Sequence, residues 1–138
     1  MITAFQGEYR WLSNFWPSQV IFEGQTYPTV EHAYQAAKTL DYDARGFIKS
    51  CATPGEAKRA SKNLVLRTDW EQVKVGIMES LLKQKFAWPA LRDKLLVTKS
   101  EELVEGNTWN DTFWGVCRGK GQNTLGKLLM AIREELRG

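Results

Sequence analysis

The chain has 138 residues, a formal net charge of +3 and six tryptophans, a length that implies one domain able to bury its own core without a disulfide or metal staple. Its two cysteines, Cys51 and Cys117, form no C-x-x-C pair, which argues against a disulfide framework and a thiolate metal site. Lysines and arginines are interleaved with acids, so the charge favours anionic ligands without the clustered footprint of a dedicated nucleic-acid binder.

The opening segment Met1-Ile-Thr-Ala-Phe5 carries no basic n-region, and no run approaches the ~20 apolar residues of a membrane span. The expectation is a soluble, cytoplasmic protein with reduced thiols and no membrane partner. The stretch up to Pro28 is rich in aromatics and turn residues, with extended candidates at Ile2–Phe5 and Gln19–Glu23 and a turn at Glu23-Gly24; it is read as non-helical. A helix follows in Pro28-Thr-Val-Glu-His-Ala-Tyr-Gln-Ala-Ala-Lys38, with Thr29 as its N-cap. At ~100° per residue, Glu31, Gln35 and Lys38 fall within about 60° of one another, beside an apolar stripe of Val30, Ala33, Tyr34 and Ala37. The polar trio is expected to border the core. Glu31 and Lys38 stand two turns apart, too far for an ordinary helix-surface pair. His32 points away from the apolar stripe and reads as a structural, hydrogen-bonded histidine.

Asp43–Lys49 and Pro54–Lys62 read as short helices, the second opening on a proline whose missing N–H costs nothing there. Trp70 to Phe86 is a long helix with Trp70, Val73, Ile77 and Leu81 at helical spacing. Pro89–Leu96 is one more, followed by a polar stretch of no assigned structure up to Gly106. The last helix carries Leu125, Leu128, Leu129, Ile132 and Leu136 behind Asn123-Thr124, either of which can cap it. The fold class expected is mainly α: a single orthogonal helical domain, residues 1–138, with a few short N-terminal β-strands.

Between Gly106 and Asn123 lies a long irregular segment holding Trp109, Phe113 and Trp114. Such segments carry function more often than bare connection. Its Arg118-Gly-Lys-Gly121 passage joins two cations to glycines ahead of a helix and has the grammar of an anion site, although it is neither a Walker A loop nor a dinucleotide fingerprint. A lone histidine leaves no metal-ligand spacing to assemble, so no metal and no cofactor are expected. The remaining chemistry-bearing groups are the carboxylates Glu31 and Asp111, Lys38 and several aromatic faces. Glycosidic hydrolysis uses paired carboxylates, one managing protons and one steadying an oxocarbenium-like centre, but spacing alone does not bring these two together.

The segments Trp11-Leu-Ser-Asn-Phe15, Pro17-Ser18, Pro28-Thr-Val-Glu-His32 with Gln35 and Lys38, Asn110-Asp111 with Trp114-Gly115, and Asn123 to Gly126 resemble the NADAR family, and within it the YbiA-like N-glycosidase group. The likeness spans essentially the whole chain. It implies a mainly α fold and cleavage of an N-glycosidic bond linking a base or amino-pyrimidine to a phosphorylated ribose, with a nucleotide-like small molecule as substrate. Ribosylamino-pyrimidine intermediates of riboflavin synthesis and ADP-ribosylated guanine in nucleic acid are the substrate types the resemblance offers. Glu31, Lys38 and Asp111 match the catalytic positions. Asn14, Gln35, Trp70, Trp109, Asn110, Trp114, Gly115, Arg118, Lys120 and Asn123 make up the expected substrate-binding set, with Trp70 equally readable as core.

In that picture Arg118, Lys120 and the loop amides hold phosphate, Trp109 or Trp114 stacks on the base, and Lys38 is either an amine nucleophile or an orienting cation. The chain departs from the group in a shorter N-terminus and in Val116-Cys117-Arg118, which replaces a more glycine-rich passage. The alternative is a non-catalytic binder of ADP-ribose or single-stranded nucleic acid using the same rings and cations. A small interaction protein with a merely solvated polar stripe is the third reading.

Overall fold

The computed structural model describes residues 1–138 and is mainly helical, with six α-helices and four short strands. Packing divides the chain into two compact units, Asn14–Lys85 and Met1–Ser13 together with Phe86–Gly138.

The unit Asn14–Lys85 begins with an antiparallel hairpin, β1 (Pro17–Phe22) and β2 (Gln25–Thr29). Glu23 and Gly24 take φ of 47° and 82° at its tip, the left-handed pair that a two-residue turn needs to match strand twist. Val20 and Tyr27 pair across the ladder and both are buried. Gln84 clasps the outer edge of β1, its Oε1 accepting from Ile21 N at 2.7 Å and its Nε2 donating to Ile21 O at 2.7 Å. β2 lies outside the extended candidates Ile2–Phe5 and Gln19–Glu23. It runs straight into α1 (Val30–Ala37), where Thr29 Oγ1 accepts from His32 N at 3.0 Å as the expected cap.

Every residue of α1 is buried. The expectation that Glu31, Gln35 and Lys38 border the core needs correction: α2 (Tyr42–Ser50), α3 (Pro54–Ala60), α4 (Trp70–Lys85) and both hairpin strands pack around α1, and only Lys38 is half-buried. α2 and α3 carry side-chain caps from Asp41 and Thr53, and α3 passes into a 3-10 turn at Ser61–Asn63.

In the other unit the segment expected as a strand, Ile2–Phe5, forms only a bridge from Ile2 to Leu103, and a 3-10 helix at Gly7–Leu12 buries Trp11 and Leu12. Trp11 meets Phe86 edge-on at 6.3 Å. α5 (Pro89–Val97) packs on α6 (Thr124–Arg137). Between them β3 (Gly106–Asn107) and β4 (Val116–Cys117) form a parallel pair. The cap of α6 also differs from expectation. Asn123 occupies the N-cap position with φ of 53° but makes no capping bond, because its side chain is held elsewhere.

Candidate active site

Glu31 lies in the first turn of α1, 7% exposed, with its backbone N–H donated to Asn14 O at 3.1 Å. One turn on, Gln35 Nε2 donates to Glu31 Oε2 at 2.6 Å. That contact orients the amide, since the opposite rotamer would set Gln35 Oε1 against the carboxylate. Gln35 Oε1 is consequently left buried without a partner, as is Asn14 Oδ1, while Asn14 Nδ2 reaches Met78 Sδ at 3.6 Å. Unmet buried acceptors are uncommon and mark places where a ligand can supply the donor.

Lys38 ends the stripe. Its backbone carbonyl accepts from Arg67 N at 2.8 Å, which with Arg67 Nη1 near Ala37 O satisfies the end of α1. Its Nζ stands 5.5 Å from the Tyr34 ring centroid, and Tyr34 stacks at a tilt on Trp70 with 5.2 Å between centroids. Burial holds the Lys38 amine below the ordinary lysine range; Glu31 opposes that fall, and Lys58 and Lys74 add to it. Trp70 is 5% exposed, so it forms a wall behind Tyr34 rather than an open stacking face.

His32 is structural. Thr29 Oγ1 accepts from the His32 backbone and lies 2.8 Å from Nδ1, while Nε2 lies 2.9 Å from Cys51 O. The hydroxyl's single proton goes to Nδ1, so Nε2 carries the ring proton and donates it to the carbonyl.

The loop of the other unit is a closed network. Asn107 Oδ1 accepts from Asp111 N at 3.1 Å and Asn107 Nδ2 donates to Asp111 O at 2.9 Å. Asp111 Oδ1 accepts from Phe113 N and Trp114 N at 3.2 and 3.0 Å. Phe113 and Trp114 meet edge-on at 4.9 Å. Asn123 Oδ1 accepts from Glu105 N and its Nδ2 donates to Leu103 O, both at 2.9 Å, which commits both of its polar groups to the backbone.

Gly115 and Gly121 admit no side chain because the Glu105 and Gly115 backbones already occupy that space. Their glycine identity therefore reflects packing. Of the amides anticipated as an anion cradle, that of Lys120 is committed: Cys117 and Lys120 exchange backbone bonds at 2.8 and 3.0 Å around an Arg118-Gly119 turn, and just beyond it Gln122 N donates to Thr112 O at 2.8 Å. Arg118 Nη1 donates to Asn110 Oδ1 at 2.9 Å on the surface. Trp109 is 49% exposed. A cavity of about 980 Å³ in this unit, lined among others by Tyr9, Trp11, Lys94, Thr98 and Glu101, includes none of the expected site residues.

The structure thus gathers Asn14, Glu31, Gln35, Lys38 and Trp70 within one unit, and Trp109 to Asn123 within the other. The run 57–68 carries Lys58, Arg59, Lys62 and Arg67 without a carboxylate.

The NADAR domain model matches residues 3–137. N-glycosidase YbiA of Shigella boydii is 44% identical over 135 residues, covering 94% of this chain and 82% of that protein. The chloroplastic riboflavin biosynthesis protein PYRR of Zea mays is 39% identical over 145 residues, 91% of this chain and 23% of that protein. The NMR structure of Escherichia coli YbiA shares the fold with a TM-score of 0.86 and 38% identity, over 99% of this chain and 83% of that one.

Proposed function

The chain belongs to the NADAR family, and we propose that it is a hydrolase cleaving the N-glycosidic bond between a phosphorylated ribose and a base or amino-pyrimidine. Similarity to an N-glycosidase over most of its length supports the reaction class. The observation that carries the assignment to residues is the buried Glu31–Gln35 hydrogen bond beside the desolvated Lys38 amine. Gln35 fixes the Glu31 carboxylate, which steadies positive charge at the anomeric carbon as the bond to the base lengthens. Gln35 Oε1 and Asn14 Oδ1 accept sugar hydroxyls.

Lys38 acts as nucleophile. As a neutral amine it attacks C1, the C1–N bond to the base breaks, and the base leaves with a proton. The remaining proton of the bound amine passes to the ring oxygen as the C1–O bond breaks, giving a Schiff base that water hydrolyses to the ring-opened sugar phosphate and the original amine. Burial favours this role by enriching the neutral form. Borohydride under turnover should leave a reduced adduct on Lys38. The rate should fall as pH drops below the lowered Lys38 value and level off above it. A Lys38 that only orients groups as a cation would give no adduct and a rate that falls as pH rises.

Asp111 is assigned as a further carboxylate of the reaction and is tested by Asp111→Asn, which keeps the acceptor for Phe113 and Trp114 N–H and removes only the charge. Loss of about tenfold or more in kcat with the fold intact supports catalysis; full activity would confine Asp111 to building the loop.

The relative named for riboflavin biosynthesis favours ribosylamino-pyrimidine phosphates over ADP-ribosylated guanine. Release of free base from both, assayed side by side, decides between them. Release from neither, with ligand affinity unchanged in Glu31→Gln, would point to a binding module instead.

A further inference from the structure

Gln35 is 3% exposed, and its amide offers two donor hydrogens and one accepting oxygen. Nε2 donates to Glu31 Oε2 at 2.6 Å, whereas Oε1 is enclosed and meets no donor. Turning the amide over would set its oxygen against the carboxylate and is no remedy. Asn14 repeats the pattern. Its backbone carbonyl accepts from Glu31 N at 3.1 Å and its Nδ2 reaches Met78 Sδ at 3.6 Å, while Oδ1 is buried without a partner. The capacity left open by the two residues bonded to Glu31 is therefore of one kind. It calls for donors, and a buried acceptor left unmet favours a ligand that brings an O–H over one that brings a C–H to the same place.

We infer that Gln35 Oε1 accepts the hydroxyl on C2 of the sugar, which makes the site selective for ribosyl over 2-deoxyribosyl compounds. The inference deepens the N-glycosidase reading and rests on Glu31 facing C1. Oε1 is carried by the same amide carbon as the nitrogen that holds Glu31, so its donor lies next to the atom that Glu31 serves. In a furanose, C1 has two ring neighbours: the ring oxygen, which has no proton to give, and C2. The hydroxyl on C2 is the donor in reach. Selectivity of this kind has to come from the protein. A C2 hydroxyl withdraws electrons from C1 and slows formation of an oxocarbenium-like centre, so in water the 2-deoxyribosyl bond breaks more readily. Gln35 thus has two duties, because the hydrogen bond that fixes Glu31 also fixes the direction in which Oε1 points.

Calorimetric titration of the whole chain tests this with methyl ribofuranoside 5-phosphate, whose acetal cannot open to a Schiff base, and with its 2-deoxy and 2-deoxy-2-fluoro analogues. The parent chain should bind both analogues about tenfold or more weaker than the ribosyl compound, since fluorine fills the place of the hydroxyl and has no proton to donate. Gln35→Met, similar in length and without the acceptor, should bind all three within about threefold of one another. Should that variant fail to fold, the fluoro analogue on the parent chain still decides whether the site needs a proton from C2. Equal binding of the ribosyl and 2-deoxy compounds by the parent, full affinity for the fluoro analogue, a preference unchanged in Gln35→Met, or no binding of any of the three would each overturn the assignment. Base release by the parent from a ribosylamino-pyrimidine phosphate and from its 2-deoxy form separates the two claims. Discriminating binding without release from either keeps the selective acceptor and sinks the hydrolase reading, whereas release from both with equal kcat/KM does the reverse.

Discussion

The two units treat the same kinds of polar side chain in opposite ways. In Asn14–Lys85, Glu31 and Gln35 are enclosed side by side, and Gln35 Oε1 and Asn14 Oδ1 face no donor. In the β3–β4 loop, Asn107, Asp111 and Asn123 bond backbone groups of their own neighbourhood. An acceptor left open in a dry place costs about 1–3 kcal/mol, which is tolerable where a ligand fills it. A satisfied network instead specifies the shape of a loop. The contrast teaches that Asn, Asp, Glu and Gln look alike as site material in a motif, and that hydrogen-bonding capacity left open marks room for a ligand while capacity already spent shapes a loop; Asp111, which spends Oδ1 on the loop, is where the two roles meet.

The sharpest way to break the contrast is to exchange the consequences. Glu31→Gln should lower kcat by about 10²-fold or more while urea unfolding moves little, because the amide keeps the shape; a collapse in stability with catalysis retained in the folded fraction would place Glu31 with the builders. Asn123→Ala should do the opposite, costing about 2–3 kcal/mol in urea unfolding by stranding Leu103 O and Glu105 N, with KM unchanged in the folded protein.

Lys85 sharpens the role of burial alone. It is fully buried and its pKa is pushed down to about 7 by desolvation. Between that value and the ordinary 10.5 the unfolded chain holds a proton that the native chain lacks. Stability should therefore rise with pH across this window, by at most about 1.4 kcal/mol per pH unit, and be flat in this respect below it. Lys85→Met should remove the slope, read from urea midpoints at several pH values; an unchanged slope would assign it to other groups. The smallest effect belongs to Arg118→Ala. Its bond to Asn110 is on the surface, so stability should stay within about 0.5 kcal/mol; a large loss would make the turn part of the loop's framework.

Helices were legible where periodicity and caps agreed. Thr29, Pro54 and the Trp70 stripe announce α1, α3 and α4, and the Glu23-Gly24 pair announces the hairpin turn. β2 was hidden because Pro28 at a strand end looks like punctuation, and the 3-10 helix at Gly7–Leu12 is too short to show a period. The loop at Gly106–Asn123 is recognisable as unusual, but the sequence does not show that Gly115 and Gly121 meet the Glu105 and Gly115 backbones, whereas Gly119 stands in open space with φ of 77°. No local pattern announces a collision with a backbone distant in sequence.

By itself the sequence determined the family, the helical character and the residue types available for chemistry, since these depend on order and spacing along the chain. Tertiary structure alone decided that α1 is enclosed, that Gln35 must turn its amine toward Glu31 and leave its oxygen open, and that Asp111 and Asn123 hold a loop together. The physical reason is that periodicity assigns a residue to a face of its own helix, whereas desolvation and unmet hydrogen bonds depend on which distant segments come to cover that face.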